Sequence, residues 1–407
     1  MDTVYARCCG IDVHKKSIVA CFKAGKQQDI KEFGSTTEDL RTMTQWLLSL
    51  QCQMVAMEST ASYWKPLYNI FELSGLPAVV VNARDMRNVP GRKTDVKDAE
   101  WIADLLQHGL LQASYIPDRE QRELREVSRY RKSLIEERAR EINRLQKMLE
   151  GGNIKLKNYV SHINGKSSRN ILAYILTHAN KPEEAELQPL LYGSLRQKAP
   201  DLLRAVDGLL TPLQKELIRH ILDHIDDMTA RIGDMDMLMT TYLTKYQKAI
   251  QQLQDIPGVG QRSAETILAE IGLDMSRFPS DRHLCSWAGL APGNNESAGK
   301  RRSGKTTKGN CTLKSALIQC ATVAVKQPTT YFYAQHQRIV VRRGKNRATV
   351  AVAHSMLIAI YHMLKEDHPF IELGADYYNQ VNRERKINGY VKKLLQLGWI
   401  PTTGTVS

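Results

Sequence analysis

Cysteine is scarce in this chain and never occurs in the spacing of a metal site. The 407 residues include seven cysteines, and no two of them form a Cys-x-x-Cys motif. Structural zinc sites need closely spaced ligands, and small secreted folds need many disulfide pairs. We therefore expect reduced thiols in an intracellular protein, and neither a disulfide framework nor a cysteine-bound metal.

Long apolar runs are also missing. No run approaches the roughly 18–20 apolar residues that span a bilayer, and the N-terminus carries no apolar signal segment. From these absences we predict a cytoplasmic protein without a membrane partner.

Acidic residues are in deficit. The chain has 57 Lys and Arg residues against 43 Asp and Glu residues, which gives a formal net charge of +14 with neutral histidines. A field of this sign favours a polyanionic partner, and nucleic acid is the commonest one. The alternative is a basic protein whose charge serves only solubility.

The first 115 residues predict an α/β domain. Strands are expected at 4–13, 18–22, 30–33, 54–57 and 77–81, with helices after Thr36 or Thr37, over 61–73 and after Thr94. Three hairpin-linked strands followed by alternating helices and strands indicate a mixed sheet with helices on its faces. Ligands of open α/β sheets bind in the crevice at the strand ends.

Four acidic residues fall where that crevice is expected. Asp12 ends the first strand, Glu58 ends the strand over 54–57, and Asp95 and Asp98 share the first turn of a helix. Each has a simpler interpretation as a turn, capping or dipole-complementing acid. Together, four crowded carboxylates need divalent cations. We predict two Mg²⁺ ions, with Mn²⁺ as an alternative, about 3.5–4 Å apart, the spacing that serves phosphoryl transfer.

Basic residues adjoin these acids. The loop and helix start carry five cations that are predicted to hold phosphates near the metals: Arg84, Arg87, Arg92, Lys93 and Lys97. The alternative is a solvated loop.

Two long amphipathic helices are expected in residues 116–250. One runs from Arg119 to about Leu149 and the other over 211–252, with short helical pieces near 168–178 and 183–196. The pattern predicts an antiparallel hairpin or coiled-coil arm that pairs subunits or grips RNA. The alternative is an intramolecular helical spacer.

Residues 251–375 combine a glycine turn with basic loops. The run I-P-G-V-G before a helix over 261–271 resembles a helix-hairpin-helix, in which Gly258 and Gly260 let backbone N–H groups approach phosphate. A plain helix–helix turn is the alternative. A polar loop over 293–310 carries a first set of predicted nucleic-acid contacts: Lys300, Arg301, Arg302, Lys305 and Lys308.

A second basic cluster precedes a helix predicted over 348–364. Its nucleic-acid contacts are expected from four cations: Arg342, Arg343, Lys345 and Arg347. The aromatic residues 331–333 have two interpretations: they stack on bases of the nucleic acid, or they pack within the protein, which is the commoner role of such a run.

Six short motifs resemble one family. They are G-I-D-V-H-K at 10–15, A-M-E-S-T at 56–60, K-T-D-V-K-D-A at 93–99, G-L-A-P at 289–292, E-S-A-G-K at 296–300 and K-G-N-x-x-L-K at 308–314. This set resembles the DEDD transposases of bacterial insertion sequences, in the family called IS-one-ten and its one-eleven-eleven branch.

The resemblance implies a RuvC-like (RNase H fold) mixed-sheet domain and a mostly α-helical C-terminal transposase domain. It implies Asp12, Glu58, Asp95 and Asp98 as metal ligands and Ser297 as the nucleophile that forms a 5′-phosphoserine with DNA. Many relatives have glycine where Ala298 stands, so Ser303, followed by Gly304, is the alternative nucleophile.

The resemblance further implies a bridge RNA that specifies donor and target DNA. It also implies a homodimer or homotetramer, in which the serine of one subunit meets the metal site of another, and a protein on the bacterial nucleoid. The predicted segments are a catalytic domain (1–115), a helical arm (116–250), a C-terminal transposase domain (251–375) and a tail (376–407). The competing functions are a Holliday-junction resolvase-like nuclease and a noncatalytic nucleic-acid scaffold.

Overall fold

The structure is a computed structural model that describes residues 3–59, 61–82, 95–178, 180–293, 295–297, 300–381 and 383–398, with the backbone alone at 95–97, 295–297, 300–303 and 384–386. The chain divides into two compact units, Met1–Arg119 and Glu120–Ser407. Each unit has its own core.

The first unit is built on a five-stranded sheet in the order β3-β2-β1-β4-β5. Its strands are β1 (Arg7–Val13), β2 (Ser17–Ala24), β3 (Gln27–Gly34), β4 (Met54–Glu58) and β5 (Ala78–Val81). The first three strands pair antiparallel as a meander, whereas β4 pairs parallel to both β1 and β5. The predicted mixed sheet is therefore confirmed.

Helices cover both faces of this sheet: α1 (Thr37–Ser49), α2 (Trp64–Ser74) and α3 (Asp95–Gln107). Of the two threonines expected before α1, Thr36 is the cap. Its hydroxyl accepts from the Asp39 amide, and the Asp39 carboxylate accepts from the Thr36 amide at 3.1 Å. This reciprocal capping satisfies donors that the first helical turn leaves unpaired.

Alternation along β1 divides the core between the two faces. Cys9 and Ile11 point to the face that α1 and α2 cover, whereas Cys8 packs with Ile102 of α3 on the other face. Gly10 permits close packing of α3, because a Cβ at this position would lie closer than 3.0 Å to backbone atoms of Ala99 and Ala103. The glycine thus sets the position of α3 on β1.

The second unit begins with two long antiparallel helices, α4 (Arg119–Gly151) and α8 (Pro212–Tyr242). Arg131 of α4 lies 3.0 Å from Asp236 of α8, and Arg138 of α4 donates to Thr229 of α8. The short helices between them are α5 (Lys166–Thr177), α6 (Glu184–Leu187) and α7 (Ala199–Ala205).

These helices share one core. Leu145 and Leu149 of α4 pack with Ile171 of α5, Leu202 of α7 and Ile218 of α8. The apolar stripes of the long helices are therefore covered largely within the chain, which supports the spacer alternative for this part of the protein.

The single helix predicted over 211–252 was wrong. The chain leaves α8 at Tyr242, forms a 3-10 turn at Thr244–Tyr246 and resumes as α9 (Gln247–Gln254). Threonine hydroxyls compete for backbone carbonyls here: Thr240 donates to Asp236 and Thr244 to Thr241. Such bonds weaken helix continuity.

The C-terminal part surrounds a long buried helix. Its elements are α10 (Gln261–Ile271), α11 (Asp281–Trp287), β6 (Asn295–Ser297), β7 (Lys300–Ser303), α12 (Cys311–Ala324), α13 (Tyr331–Arg343), α14 (Lys345–Glu366), α15 (Tyr377–Val381) and α16 (Arg383–Gln396). The sequence did not predict α13, and α14 begins at Lys345 instead of 348. Gly344, at φ +79°, separates the two helices.

Among the described residues, α14 is one helix long and apolar enough to cross a membrane by length and composition. This corrects the prediction that no such run exists. Half of its most apolar window is buried, and Val352, Met356 and Ile360 are fully enclosed. These contacts are those of a core helix within a bundle.

Candidate functional site

Asp12 and Glu58 end neighbouring parallel strands. The pairing of β1 with β4 runs to Ile11 opposite Met57, so Asp12 and Glu58 occupy the next position on each strand. Neighbouring strands lie roughly 4.7–4.9 Å apart, and residues in register point to the same face. By alternation this is the face of Gly10 and Ala56, on which α3 packs.

The start of α3 lies at the same strand ends. The Cys8 thiol contacts the carbonyl of Ala103, and Gly10 lies under Ala99 and Ala103, so α3 runs antiparallel to β1. From Gly10 to Asp12 the strand advances about 6.6 Å, which equals roughly four helical residues. This step leads from Ala99 to the first turn of α3, which carries Asp95 and Asp98.

The fold thus places the backbone of all four predicted acids at one edge of the sheet. Asp12 is buried, and Glu58 and Asp98 are half-buried. The side chain of Asp95 lies outside the described residues. Their roles as metal ligands stay a prediction.

The sequence analysis missed a histidine at this edge. His14 Nε2 lies 3.0 Å from the buried Asp12 carboxylate, and the imidazole is about half-exposed. The amide of His14 donates to the Ser17 carbonyl and closes the turn between β1 and β2. The signal was the Asp-x-His spacing at a strand end, because residues two apart share a face.

The acidic side chains at this edge are of the type that a hard divalent cation prefers, because they offer carboxylate oxygens and one of them, Asp12, is buried. As placed, no three His, Cys, Asp or Glu side chains among those described form a group that would hold one ion.

Four members of the predicted basic loop, Arg84, Arg87, Arg92 and Lys93, lie outside the described residues. Lys97 is on the first turns of α3, and its side chain is likewise not described. Their phosphate contacts stay a prediction.

The candidate nucleophile lies on a β-hairpin where the sequence predicted a polar, glycine-rich loop. Ser297 ends β6 and pairs with Lys300, the first residue of β7, whereas Ser303 pairs with Asn295. Two residues separate the strands, which is the spacing of a tight hairpin. The hairpin places Ser297 at its turn and Ser303 further down the second strand.

Glycines close the base of this hairpin. The amide of Gly293 donates to the Lys305 carbonyl at 2.9 Å, and Pro292 bridges to Thr306. Below them, Gly289 and Gly309 pack backbone to backbone, and a Cβ at Gly309 would lie closer than 3.0 Å to the Gly289 amide. The motifs G-L-A-P and K-G-N therefore form the stem that carries the serine.

A buried carboxylate fixes this stem to the helices. Glu270 is fully buried and pairs with Arg129 through two hydrogen bonds of 2.7 and 2.8 Å. It also accepts from Asn310 Nδ2 at 2.6 Å, and Asn310 caps α12 through the Leu313 amide. The hydrogen bond to Glu270 raises the pKa of Arg129. This network, which the sequence analysis missed, connects α4, α10 and α12.

The two predicted basic clusters meet in one groove. Lys305 from the hairpin stem and Arg343 and Arg347 from the α13–α14 junction line a groove of about 1040 Å³. Arg342 lines a neighbouring groove of about 460 Å³ with Arg338 and Tyr378. No pattern in the sequence indicates that these segments, some forty residues apart, are neighbours.

The remaining cations of the clusters lie nearby along the chain. Lys308 and Lys345 are exposed, the latter in the first turn of α14. Lys300, Arg301 and Arg302 lie on β7, and their side chains are not described.

The two glycines of the α9–α10 turn have different surroundings. Gly258, at φ +85°, packs so closely on α12 that a Cβ would lie closer than 3.0 Å to the Cys320 carbonyl. Gly260 caps α10 in open space. Gly258 thus has a packing role, and phosphate contact by either glycine stays a prediction.

The aromatic run at 331–333 packs within the protein, as its commoner interpretation had it. Phe332 is buried, and the ring of Tyr331 stacks on Tyr378 with centroids 5.3 Å apart.

Comparison with known proteins finds family matches in two parts of the chain. A family model described as a transposase, DEDD_Tnp_IS110, matches residues 9–154, and the model of the transposase IS116/IS110/IS902 family matches residues 250–337. The transposase for insertion sequence element IS1111A of Coxiella burnetii is 24% identical over 329 residues, which cover 79% of this chain and 80% of that protein.

Two further relatives agree. An insertion element IS110 protein of Streptomyces coelicolor is 26% identical and covers 68% of this chain and 72% of its own length. The pilin gene-inverting protein of Moraxella lacunata is 29% identical over 160 residues, which cover 38% of this chain and 47% of that protein.

The fold, the acidic strand ends and these relatives define an enzyme that acts on DNA, of the transposase and recombinase class. The two family models together cover more than half of the residues, and the chain belongs to the IS110 family of insertion-sequence transposases.

Proposed function

We propose that this transposase cleaves and exchanges DNA strands with Mg²⁺ held by Asp12, Glu58, Asp95 and Asp98. The observation that carries the proposal is the register of β1 and β4, which sets Asp12 beside Glu58 at the strand ends. The close packing of α3 on Gly10 adds its first turn to the same edge. The strand order β3-β2-β1-β4-β5 supports a RuvC-like (RNase H fold) domain.

The four acids would bind Mg²⁺, or Mn²⁺ in its place, through carboxylate oxygens. The bound ion would polarise the scissile phosphate and offset negative charge in the transition state. Asp12 is buried, and the imidazole of His14 contacts one oxygen of its carboxylate. That contact orients the carboxylate before any ion binds.

Ser297 is the proposed nucleophile. Its Oγ forms a bond to the scissile phosphorus, the bond from phosphorus to the 3′ oxygen breaks, and the serine proton passes by way of a base or water to that oxygen. The products are a 5′-phosphoserine and a free 3′-hydroxyl. One phosphodiester replaces another, so a 3′-hydroxyl of a second strand can reverse the step without external energy. Ser303 remains the alternative.

The basic groove supports the nucleic-acid part of the proposal. Lys305, Arg343 and Arg347 would bind strand phosphates below the serine hairpin. The open N-terminus of α10 at Gly260 offers further amide donors. Contacts proposed from the basic loop and from β7 would extend this path: Arg84, Arg87, Arg92, Lys93, Lys97, Lys300, Arg301 and Arg302.

The partners proposed for the chain are donor DNA, target DNA, a bridge RNA and further copies of itself. The net charge of +14 supports a polyanion of considerable length. Assembly as a homodimer or homotetramer would bring the serine of one subunit to the acids of another. We place the protein in the bacterial cytoplasm, on the nucleoid.

The test is a denaturing gel for protein-linked DNA. The protein is incubated with DNA of the element ends, transcript of the element and Mg²⁺. The proposal expects a covalent species that Ser297→Ala removes and Ser303→Ala retains. The Holliday-junction resolvase alternative, which uses a metal-activated water, expects strand cutting in Ser297→Ala without any linked protein.

Glu58→Gln tests the proposed metal site in the first unit, as Ser297→Ala tests the nucleophile in the second. It keeps the size of the side chain and removes one carboxylate, so adduct and cutting should both disappear while DNA binding persists. Normal adduct formation by Glu58→Gln would contradict the proposed metal site.

A further inference from the structure

The groove below the serine hairpin has features that phosphate binding alone does not need. Leu290, Pro292, Lys305 and Thr306 form one wall, and α13 and α14 form the other. The bridge between Pro292 and Thr306 holds the first wall in place. With about 1040 Å³, the groove is at the upper end of volumes that enclose small organic ligands.

The rim of the groove is cationic. Arg343 and Arg347 are exposed on its α13–α14 side, and Lys305 is on the hairpin side. None of the described residues that line it is acidic. An anionic group is therefore favoured at the rim, and a guanidinium pair is suited to a phosphodiester.

The wall below the rim is largely apolar. Leu290 is buried, and Val350 and Ala351 are half-buried on the face of α14 toward the groove. A site for phosphate alone gains nothing from such a wall. A nucleobase does, because its faces are apolar and its edges polar.

Gln335 lines the groove and has one hydrogen-bond acceptor that none of the described residues uses. Gln335 Nε2 donates to Ser355 Oγ at 2.7 Å, which orients the amide. Its Oε1 atom is shielded from solvent and has no hydrogen-bond partner in the described part of the chain. A buried acceptor without a donor is costly, so a ligand that donates there is favoured.

We propose that this groove holds one unpaired nucleotide of the DNA strand beside the cleavage point, with its phosphate on Arg343 and Arg347, its base against Val350 and Ala351, and an exocyclic amine of that base donating to Gln335. Cytosine, adenine and guanine carry such an amine, so each of them is favoured over thymine, which has none. Enzymes that act on DNA backbones and bases commonly hold a nucleotide out of the stack in such pockets. This inference rests on the proposed function in taking the strand to be DNA and in placing its cleavage point at the hairpin that carries Ser297.

The test is binding of fluorescein-labelled oligo(dC) and oligo(dT) of equal length to the full chain, followed by anisotropy. The two are pyrimidines of the same ring size, but thymine has a carbonyl in place of the exocyclic amine, a hydrogen on N3 and a methyl group on C5. We expect oligo(dC) to bind tighter by roughly five- to 150-fold, the range of one good base contact. Gln335→Ala should lower oligo(dC) affinity to that of oligo(dT) and leave oligo(dT) unchanged.

Two more variants separate the parts of the site. Arg347→Ala should weaken both strands by the same factor, because a phosphate carries no base identity. Ala351→Trp, which fills the groove, should weaken both strands and remove the preference. Val341→Trp is the matched control, since Val341 is exposed on α13 outside the groove lining, and it should bind as wild type.

Equal affinity for the two strands, a preference that survives Gln335→Ala, or tighter binding of oligo(rC) than of oligo(dC) would each overturn the proposal. Melting of each variant at the wild-type temperature confirms that its fold is intact. The assay needs no cleavage, so failure of the proposed strand exchange would appear separately, as the absence of protein-linked DNA in the wild type.

Discussion

Gly10→Ala tests how the acidic edge is assembled. In the structure, a Cβ at residue 10 would lie closer than 3.0 Å to Ala99 and Ala103, and the atoms it meets are backbone atoms of α3. Backbone cannot rotate away as a side chain can. To restore ordinary contacts of about 3.5–4.0 Å, α3 must move off the sheet by roughly 1.5 Å.

Two effects of different size follow from that shift. Overpacking of this kind costs about 1–3 kcal/mol of unfolding free energy. The loss of activity should be larger relative to wild type, because a displacement of about 1 Å in a catalytic group can cost on the order of 100-fold in rate. We therefore expect a variant that is folded yet nearly inactive.

The assay pairs urea unfolding with the rate of protein–DNA adduct formation. Gly233→Ala is the control, since Gly233 lies within α8 and a Cβ there would point into open space among the described residues. Alanine at this position should stabilise the protein by up to about 1 kcal/mol. Wild-type stability and wild-type adduct formation in Gly10→Ala would refute the argued packing of α3 on β1.

Three further predictions concern other parts of the chain. Asp12→Asn should abolish the adduct while the circular dichroism spectrum stays native, because one buried ligand is lost without a change in shape. Glu270→Gln should lower the free energy of unfolding by about 1–3 kcal/mol, measured in urea, since it leaves Arg125 and the half-exposed Arg129 with an uncharged partner. Iodoacetamide at pH 8 should modify the exposed Cys311 alone in the native protein. Burial raises the pKa of Cys8 to about 11 and of Cys285 to about 12, so these thiols stay protonated below those values; labelling of either in the native state would contradict their burial.

The sequence predicted the fold best where strands and helices follow one another in a simple order. Three hairpin-linked strands followed by alternating helices and strands were enough to predict the mixed sheet of the first unit, whereas the pairing of β4 with β1 joins strands that are not neighbours in sequence. The position of Glu58 at the end of β4 followed from the same pattern. Gly10 lay within the quoted motif, yet its contact with α3 depends on packing that no local pattern encodes.

The C-terminal part was less predictable for a physical reason. The polar residues around Ser297 are poor strand formers, and the hairpin there is stabilised by its stem through Gly293 and Lys305. Helix α13 begins with three aromatic residues and ends in arginines, so its sequence shows no clear pattern of apolar residues at helical spacing. In the sequence, Glu270 is one acid among many, although Arg125 and Arg129 of α4 and Asn310 all contact its carboxylate.

The central claim is that Asp12, Glu58, Asp95 and Asp98 bind a divalent cation together, and Fe²⁺-mediated cleavage of the polypeptide tests it most directly. In the presence of ascorbate and hydrogen peroxide, Fe²⁺ that replaces Mg²⁺ reduces the peroxide to hydroxyl radicals, which cut the chain beside the ligands of the ion. We predict cuts near residues 12, 58 and 95–98 that excess Mg²⁺ suppresses and that Asp12→Asn eliminates. Cuts elsewhere, or cuts at these segments that persist in Asp12→Asn, would contradict the account.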